Sequence, residues 1–179
     1  MLGIPGSGKS TVAKILAKSL EAEHLAASTV LREYAASHPD ESKSWAEFWR
    51  AGASAPDEQV LPVLWGAFVR MTALRATILD GYPRTDVQLQ DFLDRGGWID
   101  LAAMLHSSED VALNRIMNRG ATSGRVDDVL QVARRRLDSE KLAQNSLLSA
   151  LSVHVDVTVI DTDSLNPRQI ADLIAAQVQ

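Results

Sequence analysis

The sequence predicts an α/β fold in three layers, with helices on both faces of a mostly or wholly parallel sheet, and three observations predict it. Continuous apolar runs of strand length occur at 76–80 (ATILD), 99–105 (IDLAAML) and 155–161 (VDVTVID), the pattern of parallel strands buried on both faces. Stretches with apolar residues at helical spacing alternate with them, which is the order of βα units and not of a bundle or a sandwich. A glycine-rich loop, GIPGSGKS at 3–10, opens directly into one of those helices. About five strands are expected, a common sheet size, with the first truncated because only Met1 and Leu2 stand before the loop.

In chain order, Val12, Ile15, Leu16 and Leu20 recur at helical spacing with Lys14, Lys18 and Glu21 on other faces, so a helix begins at about Lys9. Residues 37–55, rich in Ser, Ala, Pro and Asp, read as a small inserted helical segment with Trp45 and Trp49 as its local core. Further helices are predicted from about Asp57 to Thr72, Thr85 to Asp94, Glu109 to Asn118 and Asp128 to Leu148, and Pro167 opens a last one to Val178. Pro62 removes a hydrogen bond inside the first of these and is expected to bend it.

The bulk numbers bound the function. A chain of 179 residues, 46% of them hydrophobic, is long enough for one domain with a sizeable core. The net charge of −5 argues against a general nucleic-acid or membrane-surface binder, so an anionic ligand has to be met by local positive charge. There is no cysteine, hence no disulfide framework and no thiolate zinc site. No stretch has the length of a membrane span, and glycines stand where a leader peptide would need basic and then apolar residues. A soluble, cytoplasmic, monomeric protein is expected.

Three constellations carry chemistry. Gly3-Ile4-Pro5-Gly6-Ser7-Gly8-Lys9-Ser10 satisfies the whole G-x-x-x-x-G-K-[ST] pattern: glycines let backbone N–H groups turn inward around phosphates, Lys9 reaches the β- and γ-phosphates, and Ser10 offers a hydroxyl to Mg²⁺. The helix start adds the positive end of its dipole. Asp80-Gly81-Tyr82-Pro83-Arg84 follows a buried strand, where open α/β sheets bind ligands; Asp80 is placed to hold Mg²⁺ through water, and Arg84 offers a planar fork to a phosphate. Arg115, Arg119, Arg125 and Arg136 form the third, with Arg115 and Arg119 four apart on one helix face and Arg125 after the run Gly-Ala-Thr-Ser-Gly. Asp127 and Asp128 balance only part of that charge, while Arg134 and Arg135 read as surface residues. His24, His38, His106 and His154 form neither a triad nor a metal-spaced pair and read as packing or surface residues.

Taken together, the motifs GIPGSGKST, HLAASTVLR, GASAPDE, DGYPRTDVQ and RGATSGRVDD resemble, in order and spacing, the adenylate kinase group of nucleoside monophosphate kinases in its short-lid form. The likeness runs almost end to end, and DGYPR and RGATSGRVDD are its specific parts. It implies a P-loop NTPase domain over residues 1–179, a monophosphate-binding insert at 27–57 and a short lid at 119–128. It also implies transfer of the γ-phosphoryl of Mg²⁺-bound ATP to a nucleoside monophosphate.

By the same resemblance Gly6, Ser7, Gly8, Lys9, Ser10 and Thr11 would line the donor triphosphate, and Arg115 and Arg119 would hold its phosphates. Arg32, Arg84, Arg125 and Arg136 would hold the acceptor phosphate and the group in flight. Lys9, Arg84, Arg119, Arg125 and Arg136 would thus be catalytic. Ala53, Ser54, Ala55, Gly81, Tyr82, Pro83 and Gln88 would surround the acceptor base, with Gln88 reading its edge. Asp127 and Asp128 would orient the arginines as the lid closes.

Two departures bear on the acceptor and on the first strand. The threonine that helps to read the base in adenylate kinases is here Ala27, as in the pyrimidine branch, whereas Gln88 matches the adenine reader. AMP is favoured; UMP/CMP kinase, and more remotely another small-metabolite P-loop kinase, remain as alternatives. In the family several apolar residues precede the loop as the central strand of the sheet; here Met1 and Leu2 alone hold that place.

Overall fold

The computed structural model describes residues 1–72, 76–123 and 129–178. The elements alternate as α1 (Lys9–Ser19), β1 (Glu23–Ala26), α2 (Ala27–Ser37), α3 (Trp45–Ala51), α4 (Asp57–Thr72), β2 (Thr77–Asp80), α5 (Asp86–Asp94), β3 (Ala102–His106), α6 (Glu109–Ser123), α7 (Leu130–Leu151), β4 (Val157–Asp161) and α8 (Pro167–Ala175).

Every strand pairing among the described residues is parallel. β1 lies on β2 with Ala26 opposite Asp80, and β3 lies on β4 with Leu105 opposite Ile160. Met1 and Leu2 join the two pairs. Gly81 N donates to the Met1 carbonyl at 3.2 Å, Leu2 N donates to Ala103 O at 2.8 Å, and Leu105 N donates to Leu2 O at 2.9 Å. Where the first strand is expected, Met1 and Leu2 lie as an isolated bridge between β2 and β3, and among the described residues the sheet is split into two small ones. Alongside Met1 and Leu2, the space between β2 and β3 is an apolar cavity of about 230 Å³, with Leu16, Ile78, Leu79, Leu101 and Ala103 in its walls.

Local chemistry accounts for the element ends. Gly8, with φ of 93°, turns the loop into α1. The Thr85 side chain accepts from Gln88 N to cap α5, and Asn166 with Gln169 forms a full capping box before Pro167 opens α8. α4 continues through Pro62 as a single helix, begun by Asp57 and Glu58 at its positive end.

The boundaries differ from expectation in places. β3 begins at Ala102, later than the apolar run suggests, and α6 extends past Asn118 to Ser123. The last helix ends at Ala175, short of Val178. The pair β1 and α2 lies at a stretch where periodicity signals no separate elements: in the four residues of EHLA only Leu25 is fully buried.

Two apolar clusters carry the site. Leu25, Trp45, Leu64, Tyr82 and Phe92 pack on the β1–β2 side, and Trp45 also donates its Nε1–H to Gln59 Oε1 at 2.6 Å. Val12 and Leu16 of α1 pack with Leu105, Ile160, Ile170 and Ile174, which clamps the helix after the glycine loop between β3–β4 and α8.

Candidate active site

The loop at 3–10 is shaped by its glycines and by what packs against them. A Cβ on Gly6 would stand 2.3 Å from the Ala112 carbonyl oxygen, so α6 presses directly on the loop and only glycine fits. Ser7 is fully buried, and its hydroxyl has no hydrogen-bond partner among the described residues. Lys9 Nζ donates to Gly3 O at 2.5 Å and to Ile4 O at 2.8 Å, which folds its chain back over the loop. Burial lowers the Lys9 ammonium to about 8, against the opposing pull of Glu140 and Asp80.

Asp80 ends β2, almost fully buried, beside the start of α1. His24 Nε2 lies 3.2 Å from its Oδ2, and the Ser10 hydroxyl donates to it. Burial alone would raise the Asp80 carboxyl; hydrogen bonds from His24 and Ser10 and the charge of Lys9 outweigh it and hold the group below the usual carboxylate range. His24 is thus part of the site and not the packing residue that its sequence context suggests.

On the other side of the loop, Arg115 of α6 donates to Thr162 O at 2.9 Å, to Thr162 Oγ1 at 3.2 Å and to Gly6 O at 3.5 Å, bridging the glycine loop to the end of β4. Arg119, one turn later, is partly buried. Arg125, Asp127 and Asp128, expected in the lid, lie outside the described residues.

A hollow opens between α2, α4, α7 and the Gly81–Arg84 turn. Ala27, Arg32, Ala53, Ser54, Ala55, Gly81, Arg84, Gln88 and Arg136, all singled out from sequence as acceptor-site residues, line it together with Trp49 and Glu140. A second hollow of about 190 Å³, lined by Lys9, Pro83, Arg84 and Glu140, adjoins it on the side of the glycine loop. Tyr82 is placed differently: its ring is 1% exposed, packed edge-on against Phe92 in the core, and it lines neither hollow. Trp49, expected as local core, packs partly buried against the cluster around Trp45 and also stands in the hollow wall, with the Arg32 guanidinium 5.5 Å from its ring centre.

The polar groups of the hollow are held from behind. Arg84 Nε donates to Gly81 O at 2.8 Å, and φ of +71° at Gly81 lets the guanidinium lie over a residue without a Cβ. Gln88 is buried; its Oε1 accepts from Arg84 N at 2.9 Å and its Nε2 donates to Asp57 Oδ1 at 2.7 Å. Each end of that amide retains one further hydrogen-bonding position. Arg136 Nε donates to Glu140 Oε1 at 2.9 Å, and Arg84 Nη1 lies 3.7 Å from the same oxygen. Asp57 and Glu140 were not singled out from sequence. Asp57 reaches Gln88 across the chain with no local signal, whereas an acid four residues after Arg136 on one helix face was a readable cue.

Chemically, the arrangement places several cations and buried N–H groups around two connected hollows. That suits two phosphorylated ligands and the transfer of a group between them.

The AAA domain family profile matches residues 2–134. The chain is 31% identical over 140 residues to human adenylate kinase isoenzyme 1, covering 78% of this chain and 72% of that protein. It is 30% identical over 142 residues to the adenylate kinase of Parabacteroides distasonis, with 77% and 75% covered. Against that of Porphyromonas gingivalis it is 29% identical over 142 residues, with 77% and 73% covered.

Proposed function

Because the chain belongs to the adenylate kinase family of P-loop phosphotransferases, we propose that it is a nucleoside monophosphate kinase that moves the γ-phosphoryl group of ATP to AMP. The observation that supports this most is the pair of adjoining hollows: one is lined by Arg32, Arg84, Arg136 and Gln88, the other by Lys9 of the glycine loop, and Arg84 lines both. An acceptor phosphate held by the arginines would then face a donor phosphate held by Lys9.

Transfer of this kind needs little covalent help, and catalysis is positioning plus neutralisation of charge on the equatorial oxygens. Gly6 to Thr11 would cradle the donor phosphates with backbone N–H groups, and the Ser7 hydroxyl, without a partner among the described residues, fits that use. Arg115 and Arg119 would hold the donor from α6, and Arg125 would join from the lid. Arg32, Arg84 and Arg136 would hold the acceptor phosphate while Gln88 meets the base. The hydroxyl of Ser10 and the carboxylate of Asp80, hydrogen-bonded to each other and held ionised, fit a Mg²⁺ site. When bound, Mg²⁺ would neutralise the β- and γ-oxygens of the donor. Closure of residues 27–57 and 119–128 over the site would exclude water and so suppress hydrolysis.

Ala27 in the hollow wall offers no hydrogen bond to a base, which supports UMP or CMP as a second reading, whereas the remaining donor and acceptor of Gln88 favour AMP. The lost bond is worth about 0.5 to 1.5 kcal/mol net, enough to relax selectivity and not to reverse it. We propose that the protein acts as a cytoplasmic monomer. The described residues contain no helix long and apolar enough to cross a membrane. ADP formation from ATP with AMP, UMP, CMP, gluconate and shikimate in parallel tests the reading. The highest kcat/KM is expected with AMP, and turnover with a sugar acid alone would overturn it.

A further inference from the structure

The acceptor site holds an anion of its own. Glu140 projects from α7 to the wall shared by the two hollows, where its carboxylate meets Arg136 at 2.9 Å and stands 3.7 Å from Arg84. Lys9 lines the same hollow and feels the charge of Glu140 more than that of any other side chain. These three cations are the ones that the proposed function assigns to phosphates. A carboxylate shared by two guanidinium groups and facing an ammonium has the charge and the donor set of a bound phosphate oxygen.

We propose that Glu140 is a built-in competitor for the acceptor phosphate: it occupies the arginine pair when the site is empty and has to be displaced when a phosphorylated acceptor binds. This inference rests on the kinase reading for the identity of the ligand but not for its geometry, which is that of any phosphomonoester meeting Arg84 and Arg136. Burial would by itself push the Glu140 carboxyl up; Arg84, Arg136 and Lys9 prevail and hold it below the usual range, so the competing group is an anion at neutral pH. Displacement needs a rotation of the Glu140 side chain away from Arg136, and two of the three cations are held by bonds of their own. Arg84 keeps its bond to Gly81 O at 2.8 Å, and Lys9 its bonds to Gly3 O and Ile4 O.

Two consequences follow from exchanging one anion for another. One carboxylate offsets part of the charge of the two arginines while the site is empty, so their burial costs less. Binding of any phosphate ligand is weakened by the carboxylate it must move, and small anions such as inorganic phosphate are weakened along with the true acceptor. Glu140 thereby sets the affinity threshold of the acceptor site.

The test compares wild type with E140Q and E140D, measuring AMP binding by calorimetry, inhibition by inorganic phosphate, and kcat and KM for AMP and ATP separately. E140Q keeps the shape and removes the charge, and it is expected to tighten AMP and inorganic phosphate alike by about tenfold, the scale of one charge contact at a partly screened site. KM for AMP should fall more than KM for ATP. E140D retains the charge but is too short to span both guanidinium groups, and its affinity should lie between the other two. Unchanged or weaker binding of both anions in E140Q, with the wild-type melting temperature retained, would overturn the role of Glu140. If E140Q melts lower, the order of E140D against wild type decides instead, and E140D binding no tighter than wild type overturns it. Wild type that binds AMP but turns over no nucleoside monophosphate would sink the kinase reading, and the anion comparison would still decide the role of Glu140.

Discussion

Asp57, at the first residue of α4, accepts a 2.7 Å hydrogen bond from the Gln88 side chain of α5 and so fixes which end of that amide faces Arg84. The Thr85 hydroxyl, which caps α5, also lies 3.4 Å from the other Asp57 oxygen. The start of α4 and the Gly81–Arg84 turn are thus tied together behind the hollow that Gln88 lines.

Asp57→Ala should therefore act through Gln88. With its orienting partner gone, the amide can turn over, and KM for AMP is expected to rise about tenfold, since hydrogen bonds to a charged group contribute about 1.5 to 3 kcal/mol. The preference for AMP over UMP should narrow while kcat changes little. Steady-state kinetics with both acceptors checks this, and an unchanged ratio would exclude an orienting role for Asp57.

Lys9→Met and Arg84→Ala are each expected to lower kcat by about a hundredfold to a thousandfold, the usual loss on removing one preorganised donor to developing charge. Both variants should keep the wild-type circular dichroism spectrum, because neither side chain belongs to an apolar cluster. Coupled-enzyme assay of ADP formation is the measurement, and near-normal turnover in either would break the assignment.

Gly6→Ala and Gly8→Ala separate close packing from backbone strain. Both positions have positive φ, but a Cβ at Gly6 meets the Ala112 carbonyl at 2.3 Å, whereas at Gly8 nothing lies within 4 Å. Gly8→Ala should cost about 1 to 2 kcal/mol of stability from strain alone. Gly6→Ala should cost more and weaken ATP binding as well, because α6 has to move away from the loop. Thermal melts with and without ATP would rank the two.

Asp163 links stability to pH. Its carboxylate accepts from Ser107 Oγ at 2.8 Å and from Ser108 N at 3.0 Å, tying the end of β3 to the segment after β4. Hydrogen bonds from Ser108 and Ser107 lower its titration from the ordinary 3.8. With the folded value below the unfolded one, the unfolded chain binds the proton first as pH falls. The contribution is complete above 3.8 and is lost as pH drops through the lower, folded value. Asp163→Ala should lower the urea midpoint at neutral pH, and the gap from wild type should shrink on going down to about pH 3.

The parts legible from sequence are those written in contiguous residues. The glycine loop leads into α1 at Lys9 as its pattern requires, and DGYPR stands at the end of β2 because an apolar run delivers it there. What escaped depends on pairing across distance. β1 is four residues long with one fully buried side chain, too short for a period to register, and it exists because β2 lies beside it. The Gln88–Asp57 contact spans 31 residues and has no local signature. Trp49 packs against the core cluster as expected, but its second use as a wall under Arg32 depends on an arginine of another helix and has no local signal. Arg125, Asp127 and Asp128 lie outside the described residues, so their place in the site remains a proposal.

The seam along Met1 and Leu2 runs between the two strand pairs. Asp80 and Arg84 travel with β1–β2, whereas the helix after the glycine loop is clamped to β3–β4 and α8. Backbone hydrogen bonds at the seam, the Ser10–Asp80 hydrogen bond and Ile78 packed against the α1 cluster register one against the other. Amide exchange under native conditions is expected to sort into two protection classes that follow this division, with Leu2, Gly81 and Leu105 opening before the interior of either strand pair.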